Sequence, residues 1–260
     1  MRISYGKLRV PVHRIAGDEV FACEVSVEVL GENFGPAYTE GDNSNVVATD
    51  TMKNFILREA AAYPGTSLEG FLTELGRRMI ATYPVMEALR VSGRELRFDR
   101  VAGKVFSRSA DDHGVASVEV SPDGVGEVRG GRHGLLLLKT SGSAFTRFAR
   151  DEYTTLPERG DRPLFVRIDL DWRYAPGADP VDSLAVRDHL ARTFDDFVSE
   201  SIQHLVHEMG TRLLADHDGI EELSFTAENH TRDPVGEEDG RKVYTDPFPA
   251  QGLITLTLTR

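Results

Sequence analysis

The order in which two hydrophobic periods alternate along the chain constrains its fold more than any other feature. Period two marks a strand with one wet side, and period 3.6 marks a helix with one buried stripe. Here they succeed one another as strand, strand, helix, helix, strand, strand, and then the same order begins again. In the first pass, Leu8, Val10 and Val12 share a face of an N-terminal strand. Phe21, Cys23, Val25, Val27 and Val29 share a face of the next, with Glu24, Ser26 and Glu28 opposite. Met52, Phe55 and Ile56 predict a helix from near Thr51, and Leu68, Phe71, Leu72, Leu75 and Met79 predict another over 67–82. Strand-like segments return near 86–98, 104–108 and 116–120.

In the second pass, 135–140 reads as a strand. Leu164, Val166, Ile168, Leu170, Trp172 and Tyr174 then alternate with Arg167, Asp169, Asp171 and Arg173. Helices follow over 180–195 and 197–216, the second carrying Val198, Ile202, Leu205, Val206, Met209 and Leu213 on one side. Two strands close the chain. One holds Leu223, Phe225 and Ala227; the other alternates Ile254, Leu256 and Leu258 with Thr255, Thr257 and Thr259. Consecutive strands on short turns, with helices grouped between them, predict antiparallel sheets covered by helices on one face. The expected class is α+β, built from two copies of a ββααββ unit over 1–130 and 131–260. The copies repeat in pattern, without evident identity. The glycine-rich segment SPDGVGEVRGGRHG near the midpoint reads as a turn or junction. Gly124 and Gly126 give G-x-G, but position 129 is arginine and no Lys-Ser/Thr pair follows, so it is not a phosphate loop.

Charge narrows the partners. With 30 Lys+Arg against 42 Asp+Glu the formal net charge is −12, a field that repels nucleic acid and anionic membrane surfaces. A small anion gripped by local cations remains compatible with it. No run approaches the roughly 18–20 apolar residues of a membrane span. Cys23 is the one cysteine, so no internal disulfide forms; its place on an apolar face makes it a core residue and fits a reducing compartment. The N-terminus alternates like a strand rather than a signal peptide, and the ending Leu258-Thr259-Arg260 is not the peroxisomal S-K-L address, so a cytoplasmic location is expected. His204, His207 and Glu208 form H-x-x-H-E, not H-E-x-x-H, and no third metal ligand accompanies them. Asn229-His230-Thr231 fits the N-x-T glycosylation pattern, which means nothing without secretion.

Four segments have an unusual density of side-chain donors: 45–54, 138–162, Ser201-Ile202-Gln203 and 227–234. Each also has a plain structural reading. Thr49 and Asp50 stand where helix N-caps stand. Arg162 belongs to a loop of mixed charges, yet its guanidinium fork suits a planar anion. Gln203 can both donate to and accept from a heterocycle edge.

Taken together these segments resemble the cofactor-independent urate oxidases. YGK at 5–7, VVATDTMKN at 46–54, RDEYTTLPERGDR at 150–162, SIQHLVHEMG at 201–210 and the ending GLITLTLTR match that family's motifs, in order, across nearly the whole chain. The resemblance implies the tunnelling fold, two tandem ββααββ modules per chain. Subunits pair to close a barrel, and barrels stack into a homotetramer with active sites at subunit interfaces. It implies oxidation of urate by dioxygen and water to 5-hydroxyisourate and hydrogen peroxide, with neither metal nor organic cofactor.

The resemblance also implies roles. Arg162 grips the urate carbonyl and ring edge; Gln203 and the backbone of Ile202 pair with the opposite edge; Phe145 stacks under the purine. Asn229 holds oxygen or water above the ring. Thr49 and Asp50 come from the neighbouring subunit, and Lys7 with Thr49 forms a proton relay. The family commonly reads N-x-H at the relay's third member, whereas this chain reads Asn229-His230-Thr231. One position in an extended strand reverses the side-chain direction. Three arrangements stay open: His230 by a local irregularity, Thr231 with water, or Lys7 and Thr49 alone. The alternatives to an oxidase are a purine-binding protein of the same fold and a pterin-type enzyme, whose zinc would need a histidine cluster.

Overall fold

A computed structural model describes residues 2–109, 112–246 and 249–260. The chain divides into two compact units: Met1–Gly131 with Arg173–Asp182, and Arg132–Trp172 with Ser183–Arg260.

Unit 1 begins with an antiparallel hairpin, β1 (Ser4–Ala16) and β2 (Glu19–Leu30), turning at Gly17, whose φ of 62° suits a residue without Cβ. A single helical turn, α1 (Pro36–Thr39), interrupts the following loop. Helices α2 (Thr49–Ala62) and α3 (Leu68–Thr82) come next. Strand β3 (Ala88–Glu95), the hairpin β4 (Phe98–Ala102) and β5 (Val105–Arg108), and β6 (His113–Ser121) complete the first pass, and β7 (Gly124–Lys139) opens the second while its first residues still belong to unit 1. The strands lie in the order β1-β2-β3-β6-β7, with β1–β2, β2–β3 and β3–β6 antiparallel. Met52 and Ile56 of α2 and Phe71, Leu72, Leu75 and Met79 of α3 are fully buried with Val25, Val27, Leu89, Val91 and Val118. One sheet face is therefore the core. Cys23 lies in that core, and burial pushes its thiol up to about 12, so it stays protonated.

Unit 2 takes β7 from Arg132 onward, then β8 (Leu164–Tyr174) as far as Trp172. Helices α4 (Ser183–Asp196) and α5 (Ile202–Asp216) follow, then β9 (Ile220–Asn229), the hairpin β10 (Pro234–Glu238) and β11 (Arg241–Tyr244), and β12 (Gly252–Thr259). The order is β7-β8-β9-β12, with β9–β12 antiparallel. The alternation read from sequence holds in β8, where Leu164, Val166, Ile168, Leu170 and Trp172 are buried. Thr255, Thr257 and Thr259 are exposed along β12. Each pass thus runs strand, strand, helix, helix, strand, strand, with a small hairpin inserted between its last two strands.

Four local expectations change. Leu8 does not share the face of Val10 and Val12, because a β-bulge intervenes and leaves it 67% exposed. Helix α2 starts at Thr49 rather than near Thr51. Its N-cap is Ala48, so neither Thr49 nor Asp50 caps it. The turn in the glycine-rich stretch is confined to Pro122-Asp123, and β7 runs through the rest for 16 residues, with the division between the two units falling inside it after Gly131. Helix α5 begins at Ile202, and Val198 is 64% exposed ahead of it.

The second helices of the two passes match in detail. Ser67 caps α3 by accepting from Gly70 N (3.1 Å), and Ser201 caps α5 by accepting from His204 N (3.1 Å). Nine residues after each cap stands a glycine pressed against the sheet. A Cβ on Gly76 would lie 2.7 Å from Val120 Cγ2, and one on Gly210 would lie 2.6 Å from Leu258 Cδ1. Two residues after each cap the copies differ. Glu69 is buried, accepting from Tyr174 Oη (3.1 Å) and Ser67 Oγ (3.3 Å), and burial pushes its carboxyl above the usual range. Its counterpart Gln203 is exposed.

Two outcomes follow for stability. Alanine at Gly76 or Gly210 should lower unfolding free energy by about 1–2 kcal/mol, because overpacking outweighs the gain in helix propensity; urea denaturation of each variant checks this. Glu69 binds its proton more tightly in the folded state, so it detracts from stability increasingly as pH rises from the ordinary carboxylate pKa, about 4.3, through the raised one. Glu69→Gln should therefore gain on the wild type across that window and hold its advantage above it. Parallel stability curves for the two proteins from pH 4 to 8 would contradict the buried-carboxylate account.

Candidate functional site

The nominated residues fall into two groups, one in each unit. In unit 1 the Tyr5-Gly6-Lys7 motif is legible atom by atom. Tyr5 Oη accepts from Val47 N (3.0 Å), and the Tyr5 ring meets Phe34 edge-on at 4.8 Å. That contact fixes the segment leading into α2, and Asn45 Nδ2 donating to Asn33 O (2.9 Å) fixes it from the other side. Gly6 has no room for a side chain, since a Cβ would stand 2.0 Å from Val27 O. Lys7 pairs across the ladder with Val27, a fully buried core residue, so its side chain shares the helix-covered face. Helix α2 packs on β1. Its first turn carries Thr49 and Asp50, and Asp50 is bonded to Lys53 and accepts from Asn54 Nδ2 (3.1 Å). The Lys53 hydrogen bond and charge hold the Asp50 carboxyl below the usual range, and the charge of Lys7 adds to this.

In unit 2 the irregular segment after β7 is laced to the start of α5. Ala144 N donates to Ser199 O (2.8 Å) and Ser199 N to Gly142 O (3.3 Å). Asp161 Oδ1 accepts from Gly142 N (2.6 Å) and Ser143 N (3.3 Å), and Arg162 N donates to Ser143 O (2.9 Å). Phe145 and Arg159 exchange both backbone bonds, at 2.8 and 3.0 Å. These bonds set the Arg162 guanidinium 5.8 Å from the centroid of the Phe145 ring, which itself stacks on Phe148 at 5.0 Å. Ile202 is buried at the first position of α5, and Gln203 is exposed beside it.

Arg162 is the electrostatic centre of this group. Its Nε is buried without a hydrogen-bond partner, and among the described residues no carboxylate forms an ion pair with it. Burial, and then the neighbouring charge of Arg159, push its guanidinium below its usual range, though an arginine stays charged. A charge half out of water without a counterion is costly. A planar anion lying against Phe145 relieves that cost, and the open N-terminus of α5 adds partial positive charge nearby.

The end of β9 resolves which way the Asn229-His230-Thr231 side chains run. His230 N donates to Phe165 O (3.0 Å), so the ladder with β8 extends through His230. Asn229 continues the parity of Leu223, Phe225 and Ala227, the core side. His230 points to the other face, where its Nε2 lies 3.2 Å from Glu228 Oε2. The Arg232 guanidinium covers the Phe165 ring at 3.9 Å.

A sequence profile described as Uricase matches residues 4–123 and 128–254, nearly the whole chain. The chain belongs to the uricase family. A uricase from Haloferax volcanii is 40% identical over 82% of this chain and 77% of its own length. A Bacillus subtilis protein described as a uric acid degradation bifunctional protein is 37% identical over 98% of this chain, which spans 57% of that longer protein. A crystal structure of a uricase from Bacillus fastidious superposes with a TM-score of 0.90 at 34% identity, covering 99% of this chain and 93% of that one. The α+β architecture with its twice-repeated order is thus the tunnelling fold of that family.

Several residues of this uricase-family site escape sequence reasoning. Asp161, by its carboxylate, and Ser143 and Ser199, by backbone bonds, hold the Arg162 loop in a way that no periodicity announces. Phe148 backs Phe145 three positions on, a spacing that suggests a helix which is not there. Among the described residues no group of three or more His, Cys, Asp or Glu has metal-binding geometry. Among the described residues no helix is long and apolar enough to cross a membrane. A cavity of about 920 Å³ in unit 1, lined by residues such as Tyr63, Phe71, Arg77 and Glu127, includes none of the nominated residues.

Proposed function

We propose that this chain oxidises urate with dioxygen and water to 5-hydroxyisourate and hydrogen peroxide. The observation that carries this reading is the half-buried Arg162 guanidinium, its Nε without a partner, set against the Phe145 ring in the loop laced to the residues just before α5. Urate is planar, anionic and bears carbonyl and amide edges. Phe145 offers its face, Arg162 a bidentate fork, and Gln203 with the Ile202 backbone an amide edge. Asn229 lies on the core side of β9, where a side-chain amide can hold oxygen or water over the ring. Fixing the reactants in this way converts part of the entropy of encounter into rate.

Lys7 is the base in this reading, passing the proton through Thr49. Lys7, Thr49 and Asp50 would serve the Arg162 group of a neighbouring subunit, in a homotetramer whose sites lie at subunit interfaces. Residues 1–130 and 131–260 would be the two tunnelling-fold modules of each subunit. Asn229 and His230 face opposite ways, which favours Thr231 with water over His230 as the third relay member.

Purified protein should bleach urate's near-ultraviolet absorbance under air with release of peroxide and consumption of oxygen. Tight urate binding without oxygen uptake would instead mean a purine-binding protein, and turnover abolished by removing zinc would mean a pterin-type metalloenzyme. Arg162→Ala should lower kcat/KM by about 10- to 100-fold, the value of a charged hydrogen bond or two, with both kcat and KM affected. Thr231→Val should lower kcat while His230→Ala leaves it within about twofold, a change worth under 0.5 kcal/mol in barrier. The reverse ranking would restore His230 to the relay.

A further inference from the structure

We infer that the β-bulge at Leu8-Arg9 is the device that turns Lys7 onto the helix-covered face, which makes Arg9 and Ser26 positioning residues for the relay base. The inference rests on the reading of Lys7 as that base. Its geometry stands independently.

Val10 pairs with Val25 and Lys7 with Val27, so two residues of β1, Leu8 and Arg9, oppose the single residue Ser26. Arg9 takes the left-handed conformation, φ 53°, and its amide donates to Ser26 Oγ (3.0 Å). Arg9 is one of three residues other than glycine with positive φ among the described residues. Continuing the ladder regularly from Val10 would put Arg9 opposite Ser26, Leu8 opposite Val27 and Lys7 opposite Glu28. Leu8 would then enter the core, and Lys7 would point away from α2, alongside Glu28. The bulge inverts both. Leu8 stands 67% exposed, and Lys7 faces the core side, close enough to the first turn of α2 for its charge to act on Asp50. An arrangement that exposes a leucine and directs a lysine inward works against the apolar pattern of its own strand. Turning the amine to the side on which the first turn of α2 lies accounts for it.

Three variants test this. Arg9→Gly keeps the left-handed conformation and should retain kcat. Arg9→Val, whose branched side chain resists that conformation, should lower kcat at least 10-fold, towards the Lys7→Met value, with KM changed far less. Arg9→Val combined with deletion of Leu8 removes the extra residue, so a regular ladder again sets Lys7 opposite Val27, and kcat should recover. A merely structural role for the bulge predicts no recovery on shortening the strand. Wild-type kcat in Arg9→Val, or no recovery in a shortened variant that folds with the wild-type circular dichroism spectrum, would overturn the inference. A crystal structure of Arg9→Val reads the register without reference to turnover. Lys7 opposite Glu28 upholds the positioning role even if urate proves not to be the substrate, and Lys7 still opposite Val27 overturns it.

Discussion

An antiparallel ladder decides, residue by residue, which side of a sheet each side chain occupies, and this protein's packing and chemistry both depend on that assignment. The core forms because Val25, Val27 and Val29 of β2 share a parity with Leu89 and Val91 of β3 and with Val118 and Val120 of β6. The helices settle on that side and leave the other to polar residues. The site draws on the same rule at two places. At β9 it is obeyed, which sends Asn229 and His230 in opposite directions. At β1 it is broken once, by one extra residue. Leaving Leu8 in water forfeits roughly 1.5–3 kcal/mol of burial, and a left-handed Arg9 costs roughly another 1–2 kcal/mol. A fold of marginal stability keeps such a feature only where something depends on it.

The electrostatics show the same economy. The chain as a whole carries a formal charge of −12, yet Arg162 sits partly out of water without a carboxylate beside it. A surface charge network would have neutralised it at little cost. The loop instead uses its acids on the backbone: Asp161 takes the amides of Gly142 and Ser143, and Glu158 takes the amide of Arg147. The negative groups hold the frame, and the positive group is left for the ligand. Since anything that binds only the folded state stabilises it, occupancy of such a site also strengthens the fold around it.

How much of this was legible in the sequence depends on the range of the interaction. Period two and period 3.6 locate the strands and helices of the two passes except β4, the hairpin β10–β11, the one-turn α1 and all but the end of β7, because alternation and amphipathicity are local. The residues assigned to the site come from motifs rather than from periodicity; of them the structure sets Arg162 against Phe145 and puts Lys7 on the face that α2 covers. Alternation alone puts Leu8 on the face of Val10 and Val12 and misses the bulge, which leaves no mark on composition; position 9 is arginine, with no glycine to announce its left-handed turn. The glycines at 124–134 mark the junction between the units but hide the strand, for β7 runs through them, its pairing with flanking strands outweighing weak propensity. Asp161 acts through its carboxylate, and Ser143 and Ser199 through backbone bonds, between segments well separated in sequence, which no single-chain pattern encodes.

The two serine-capped helices carry a last consequence. Each begins with the same scaffold, a hydroxyl cap and a glycine nine residues on, but the position two residues after the cap has gone separate ways. At Glu69 the polar group is sealed: Tyr174 and Ser67 occupy its oxygens, and it is spent on the interior. At Gln203 the amide stands in solvent with nothing of its own chain engaged among the described residues. The two helices put the same motif to different uses. One copy of the motif is committed to holding a module together, which frees its twin to present an unsatisfied group to whatever arrives.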